Sequence, residues 1–343
     1  MSNFQLPTSN FHHRGIPSRI LVIRLDRIGD VLLSTPVFHA LRRAYPDARI
    51  TAMVRPPCQE LLEGHPALSD VLVYDKDGRH RSVWATLLFA QRLVRERFGL
   101  ALVLHPSRRS HWIPFLAGIP QRVGWDRKSG WLLTTRLPHI KQEGRYHEMD
   151  YTLDVVAAIG TPIDGVVRHP TMAVSAAARK KVEQWLAGHG VAGSQRLIAI
   201  HPSASGPEKR WAADRFAAVA DRLMKEDGVR VVVVGGVEGV ADAEAVQHAM
   251  QQQPLMAAGV FNLQELAALL QRCRLLISND SGPVHVAVSQ GTPVLALFGR
   301  TQPGVNPERW KPLGPRDRVL VREPIAELSV DDVVRAAKEM LQS

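Results

Sequence analysis

The chain has 343 residues, 45% hydrophobic and 22% charged, which fits a soluble globular protein of two ordinary domains; its longest apolar runs fall far short of the ~20 residues that span a bilayer. Two distant cysteines, Cys58 and Cys273, exclude a disulfide framework or a cysteine metal site and suit a reducing cytoplasm. The net charge of +10 admits either a solvated basic surface or an anionic partner, and the lack of a zinc pattern, an RNP-type aromatic motif or a dense Lys/Arg run argues against nucleic acid.

The first residues, MSNFQLPTSNFHHRG, have no apolar core and read as a disordered leader over 1–17 rather than a secretory signal. A strand is then expected over 19–25, a helix over 30–44 that Pro36 kinks or restarts at Ser34–Thr35, and a strand over 48–54. A short helix over 58–63, a strand over 71–74, a helix over 83–96, a buried strand over 100–104 and a helix over 147–159 complete a first domain, 18–170. The Pro/Gly-bearing stretch 160–170 is the linker.

The pattern starts again in a second domain, 171–343. A helix over 175–188 with Ser175 as N-cap precedes a strand over 197–201, a helix over 213–226 and a strand over 229–234. Helices over 242–251 and 262–271, a strand over 275–278, a helix over 284–290, a strand over 293–298 and a last helix over 330–341 follow, the last free to return to the first domain. Short apolar runs alternating with longer periodic segments predict an α/β chain of two doubly wound, Rossmann-like domains with parallel sheets, facing a cleft.

Four loops carry chemistry. In "SNDSGPVHVAVSQGTPVLALFG" a strand ends in a turn and Pro283 suits an early helical position, so the N–H groups near Ser281 and Gly282 form an anion site, unless Asp280 or Ser281 merely caps the helix. "IAIHPSASGPEKRW" offers the hydroxyls of Ser203 and Ser205 with Lys209 and Arg210 for a diphosphate, or is a solvated loop. Glu238, after the strand and Gly235–Gly236, can accept from ribose hydroxyls or lie exposed on a tight turn. In "RLDRIGDVLLSTP", Asp26 and Asp30 have no neighbouring His or Cys in sequence. Asp30 is either an N-cap or a carboxylate kept ionised, with a lowered pKa, by the helix dipole. Arg108 and Arg109 in "HPSRRS" follow a strand end and are candidate clamps for an acidic acceptor, and lone histidines such as His147 and His285 are by default structural.

Together these motifs resemble the ADP-heptose:lipopolysaccharide heptosyltransferases, inverting glycosyltransferases of family 9 with the two-domain GT-B fold; the resemblance covers residues 18–315. It implies Asp30 as general base, Lys209 at the donor diphosphate, Asp280 at the donor sugar, and Ser281 with Gly282 holding phosphate. His285 follows one helical turn on. Ser203, Ser205, Glu238 and Phe261, the last packing on adenine, join the donor side. Arg24, Arg55, Arg108, Arg109 and His147 fall on the acceptor side. The implied partners are a nucleotide-sugar donor and the inner core of lipopolysaccharide, met by a cytoplasmic enzyme held peripherally on the inner membrane. Catalysis is expected to need no cofactor and no essential metal, a divalent cation being at most non-essential. A nucleotide-sugar 2-epimerase of similar fold, or a non-catalytic nucleotide-sugar-binding protein, remains the alternative.

Overall fold

The strand β1, Arg19–Arg24, is buried along nearly its whole length because it has a neighbour on each side. It pairs in parallel with β2, Arg49–Val54, and with β4, Leu100–Val103, whose residues are also almost wholly apolar and buried. β3, Asp70–Val73, extends the sheet beyond β2, while β5, Gln121–Asp126, and β6, Thr135–Pro138, extend it beyond β4. A run of apolar residues without alternation is what a strand covered on both faces requires.

The computed structural model describes residues 17–191 and 193–342, so the leader assigned to 1–17 lies, apart from Pro17, outside the described residues. The chain divides after Ala173 into two compact units. The second unit repeats the plan. β7, Leu197–His201, is flanked by β8, Arg230–Val233, and β10, Cys273–Asn279; β9, Leu255–Met256, lies beyond β8, with β11, Val294–Phe298, and β12, Arg318–Val321, beyond β10.

The first sheet runs β3-β2-β1-β4-β5-β6 and the second, from its other edge, β9-β8-β7-β10-β11-β12. These are one topology used twice, the doubly wound order in which the chain reverses direction between its first and fourth strands. In such sheets ligands bind beyond the carboxyl ends of the strands at that reversal. The positions singled out by the fold are therefore the loops after β1 and β4, and after β7 and β10.

Both sheets are covered by amphipathic helices. Ala213–Asp227 buries Phe216, Ala217, Val219, Ala220 and Leu223, the inward face of a 3.6-residue period. The last helix, Val330–Gln342, buries Val333, Val334, Ala337 and Met340 in the core of the second unit. The first helical segment splits, Ile28–Leu32 followed by Thr35–Ala44 with Pro36 in its opening turn, as the restart at Ser34–Thr35 anticipates. Ser175 caps its helix, its side chain accepting from the Ala178 N–H at 3.1 Å.

Strands β5, β6, β9 and β12 are not apparent in the sequence, being short, lateral or flanked by charge. The "HPSRRS" stretch is not all loop: Ser107 caps a helix over Arg108–Leu116.

One close approach ties the second sheet to a functional loop. A Cβ on Gly299, just past β11, would sit 2.3 Å from the Glu208 carbonyl oxygen and 2.8 Å from Ile325 Cβ. Gly299→Ala therefore has to displace the turn that carries Lys209. We expect it to cost about 1–3 kcal/mol of stability, as overpacking does; unchanged melting would show that the turn yields freely.

Candidate functional site

Arg24, the last residue of β1, is 2% exposed. Removing a guanidinium from water costs several kcal/mol unless anions replace the solvent, and three carboxylates do so. Asp26 Oδ1 lies 2.8 Å from Nε and Asp30 Oδ1 2.6 Å from Nη2, while Glu148 Oε1 accepts from Nη1 and Nη2, both at 3.0 Å. Lys141 Nζ donates to the same Glu148 oxygen at 2.7 Å. His105, two residues beyond β4, places Nδ1 2.8 Å from Asp26 Oδ2. The cluster sits at the reversal point of the first sheet, joined there because β1 and β4 are neighbours.

Its charge balance separates the two aspartates of "DRIGD". Burial would raise the Asp26 pKa, but the Arg24 charge and the hydrogen bond and charge of His105 overcome that and hold it below the usual carboxylate range. Asp30 goes the other way: burial first, then the Asp26 charge, outweigh Arg24 and push its pKa up to about 6. This corrects the expectation of a lowered pKa, because a five-residue helix offers less than the loss of solvent takes away. Asp30 is not an N-cap either; Arg27 occupies that position, without a side-chain capping bond. Neighbouring carboxylates whose environments drive their pKa values apart mark an acid–base site.

The other first-unit candidates are differently occupied. Arg24 cannot meet an acceptor directly, since its guanidinium is buried among carboxylates; it positions Asp30 instead. Arg109 donates to the carbonyls of Lys76 and Arg81 at 2.6 and 2.7 Å, and Arg55 pairs with Asp77 at 2.6 Å. His147 is a buried helix cap whose Nδ1 accepts from the Met149 N–H at 3.3 Å. Arg108 is exposed at the start of its helix.

The second unit builds its site at the equivalent place. Asp280 follows β10, and Lys209 lies in the loop after β7; both are 9% exposed and paired Nζ to Oδ2. His201, the last residue of β7, is buried, and burial pushes its pKa down to about 4, so the ring is neutral at physiological pH. Its Nδ1 lies 3.1 Å from Ser281 Oγ and 3.3 Å from Ser278 Oγ. Ser281 occupies the N-cap position of Gly282–Ser289 but makes no side-chain cap bond. Simple capping by Asp280 or Ser281 is thus not what this turn does. Asn279 braces the neighbouring loop, donating to Pro202 O at 2.6 Å and accepting from the Trp211 N–H at 3.2 Å.

Ser203 Oγ is buried without a hydrogen-bond partner, and Ser205 is exposed on the same loop. Glu238 is exposed on the short turn after β8, His285 is buried in the helix after Ser281, and Phe261 packs edge-on against Trp185 at 5.2 Å. The switch points thus bring together Asp30 with Arg24, and Lys209 with Asp280 and Ser281. Glu148, Lys141 and His105 are the residues that sequence reasoning missed. The weak signal for Glu148 is a carboxylate at the first residue of a helix, which by itself reads as a favourable helix start.

Among the described residues no group of three or more His, Cys, Asp or Glu could hold a metal ion, and no helix is long and apolar enough to cross a membrane. Both cysteines are free and buried.

Known proteins share this architecture. The model of glycosyltransferase family 9 (heptosyltransferase) matches residues 86–334. Lipooligosaccharide heptosyltransferase 2 of Haemophilus influenzae is 28% identical over 302 residues, 84% of this chain and 85% of that protein. The glycosyl transferase family 9 structure from Veillonella parvula has a TM-score of 0.88 at 28% identity, covering 95% of this chain and 97% of that one. ADP-heptose lps heptosyltransferase II of Escherichia coli has a TM-score of 0.80 at 24% identity, covering 94% and 98%, a likeness of fold. The two-domain α/β architecture and the GT-B fold expected from the sequence are borne out.

The raised Asp30 pKa has a consequence for stability. Between about pH 4 and pH 6 the folded chain keeps a proton on Asp30 that the unfolded chain has released, so this group's contribution falls as pH rises through that window and stays unfavourable above it. Asp30→Asn removes the penalty. Denaturant melts should find the variant about 2–3 kcal/mol more stable than the parent at pH 7.5, with the gap closing toward pH 4; a variant less stable at pH 7.5 contradicts the charge balance described.

Proposed function

Because the chain belongs to glycosyltransferase family 9 (heptosyltransferase), we propose that it transfers heptose from ADP-heptose to the inner core of lipopolysaccharide, inverting the anomeric carbon with Asp30 as general base. The substrate classes are those in the names of its relatives, which include lipopolysaccharide and lipooligosaccharide heptosyltransferases. The observation that carries the assignment of the base is the Asp30 carboxylate, hydrogen-bonded to a buried Arg24 and with its pKa raised to about 6. A base with that pKa is ionised at neutral pH yet has more proton affinity than an ordinary aspartate, the compromise that general-base catalysis favours.

In this mechanism the acceptor hydroxyl gives its proton to Asp30 as its oxygen bonds the anomeric carbon. The bond from that carbon to the diphosphate breaks on the opposite face, and ADP leaves with the electron pair. The charge developing on the leaving phosphate is met by Lys209 and by the helix start at Ser281–Gly282, electrostatic help already in place before the reaction. The buried hydroxyl of Ser203 supports this reading, being a donor with no protein partner. Asp280 would hold the sugar and steady Lys209, Ser205 and His285 would complete the donor side, Glu238 would accept from ribose, and Phe261 would lie against adenine. Arg108, exposed, is the remaining acceptor-side cation from the sequence that suits an anionic inner core.

Lys209 and the helix start supply the positive charge a metal provides elsewhere, so no cofactor is required and turnover should persist in EDTA. We place the protein on the cytoplasmic face of the inner membrane, held peripherally by its +10 charge against anionic lipid.

Transfer assays with the acceptor glycolipid test this. Asp30→Asn should lower kcat about 10²–10⁴-fold with ADP affinity unchanged, whereas Lys209→Ala should weaken ADP binding as well as turnover. Full activity in Asp30→Asn removes the base, and release of an epimerised free sugar without acceptor replaces the transferase with an epimerase.

A further inference from the structure

We infer that the aromatic, basic face around the helix Arg108–Leu116 is the surface on which this protein docks to an anionic bilayer. The inference rests on the peripheral-membrane reading above and gives it a location. Trp112 meets Phe115 at 6.0 Å and Trp131 at 5.9 Å, both edge-to-face, yet Trp131 is 63% exposed, Phe115 42% and Trp112 itself 37%. Arg108, Trp112 and Phe115 recur at i, i+4 and i+7, so the charge and the rings share one stripe of the helix. On the helix Val83–Glu96 that packs beside it, Trp84, Leu88 and Arg95 likewise share a face, with Trp84 77% exposed. Arg109 ties the two helix starts together through the carbonyls of Lys76 and Arg81.

Rings joined to one another but left in water mark an interaction surface, and the charge around them selects the occupant. Residues 79–136 carry eleven Lys and Arg against two carboxylates, Glu96 and Asp126, in a chain whose net charge is +10; the rest is nearly neutral. Glu96 is paired with Arg19 at 3.0 Å. Tryptophan settles at the headgroup level of bilayers, with its apolar ring inward and its N–H wet. Arginine and lysine beside it are drawn to anionic headgroups. Arg127 and Lys128, both exposed, lie in the turn that leads to Trp131.

The location also suits the chemistry. Arg108 is three residues beyond His105, whose Nδ1 touches Asp26 in the Asp30 cluster. The docking face therefore starts at the rim of the proposed base, where a lipid-anchored acceptor has to arrive.

Flotation with vesicles of phosphatidylethanolamine and phosphatidylglycerol, against neutral phosphatidylcholine, tests the face. The protein should bind the anionic vesicles and lose affinity as salt rises. Arg127→Gln with Lys128→Gln should weaken partitioning about 30-fold, from about 1 kcal/mol per charge. Trp84→Ser with Trp131→Ser should weaken it as well, while transfer to a short water-soluble acceptor is kept. Equal vesicle binding by parent and variants overturns the docking face and leaves the transferase standing. Concentration-dependent self-association that disappears in the tryptophan variants, without vesicle binding, assigns the face to a second copy and also overturns it. Failure of the parent to use the soluble acceptor strikes the proposed function instead, whatever the vesicles show.

Discussion

A single buried guanidinium organises the first unit's site. Arg24 ends the central strand, where no water can solvate it, and it is tolerable only with carboxylates around it. Asp26, Asp30 and Glu148 answer that demand from the loop after β1, the short helix that follows it and a distant helix, so burying one arginine fixes the path of the chain on both sides of the site. Three carboxylates exceed what Arg24 and Lys141 neutralise. The surplus emerges at Asp30, which is held in place by the arginine yet resists ionisation.

The second unit solves a different problem with the same topology. At its reversal point one carboxylate, Asp280, pairs with one lysine, Lys209, and the neighbouring His201 is neutral by burial. This site carries no surplus of negative charge, and a helix opens onto it at Gly282 with the N-cap hydroxyl turned away to His201 and Ser278. One sheet order thus presents a basic carboxylate in the first unit and an anion-tolerant turn in the second. The contrast comes from side chains, since the strands themselves run alike.

Much of this was legible in the sequence, and the exceptions have physical causes. Central strands announce themselves as unbroken apolar runs; the peripheral β5, β6 and β12 are half-buried and flanked by charge, so their pattern fades. Asp30, Lys209 and Asp280 could be picked out because each belongs to a short polar stretch of sequence that follows an apolar strand. Arg24 looked available for the acceptor because sequence shows a charge and not its burial. His105 and Glu148 were hidden for another reason: they reach the cluster through tertiary structure, across the β1–β4 pairing and from a helix 124 residues beyond Arg24. The pKa of Asp30 could not be judged without them, and the helix-dipole argument, sound for an exposed carboxylate, gave the wrong direction for a buried one.

The central claim is that the charge surplus around Arg24 makes Asp30 the base, and the pH dependence of single-turnover transfer tests it most directly. The rate should rise with pH through a midpoint near 6 as Asp30 ionises. In Glu148→Gln, which removes a negative charge that raises the Asp30 pKa, the midpoint should move to lower pH. A midpoint near that of an ordinary aspartate, or one that Glu148→Gln leaves in place, would contradict the account.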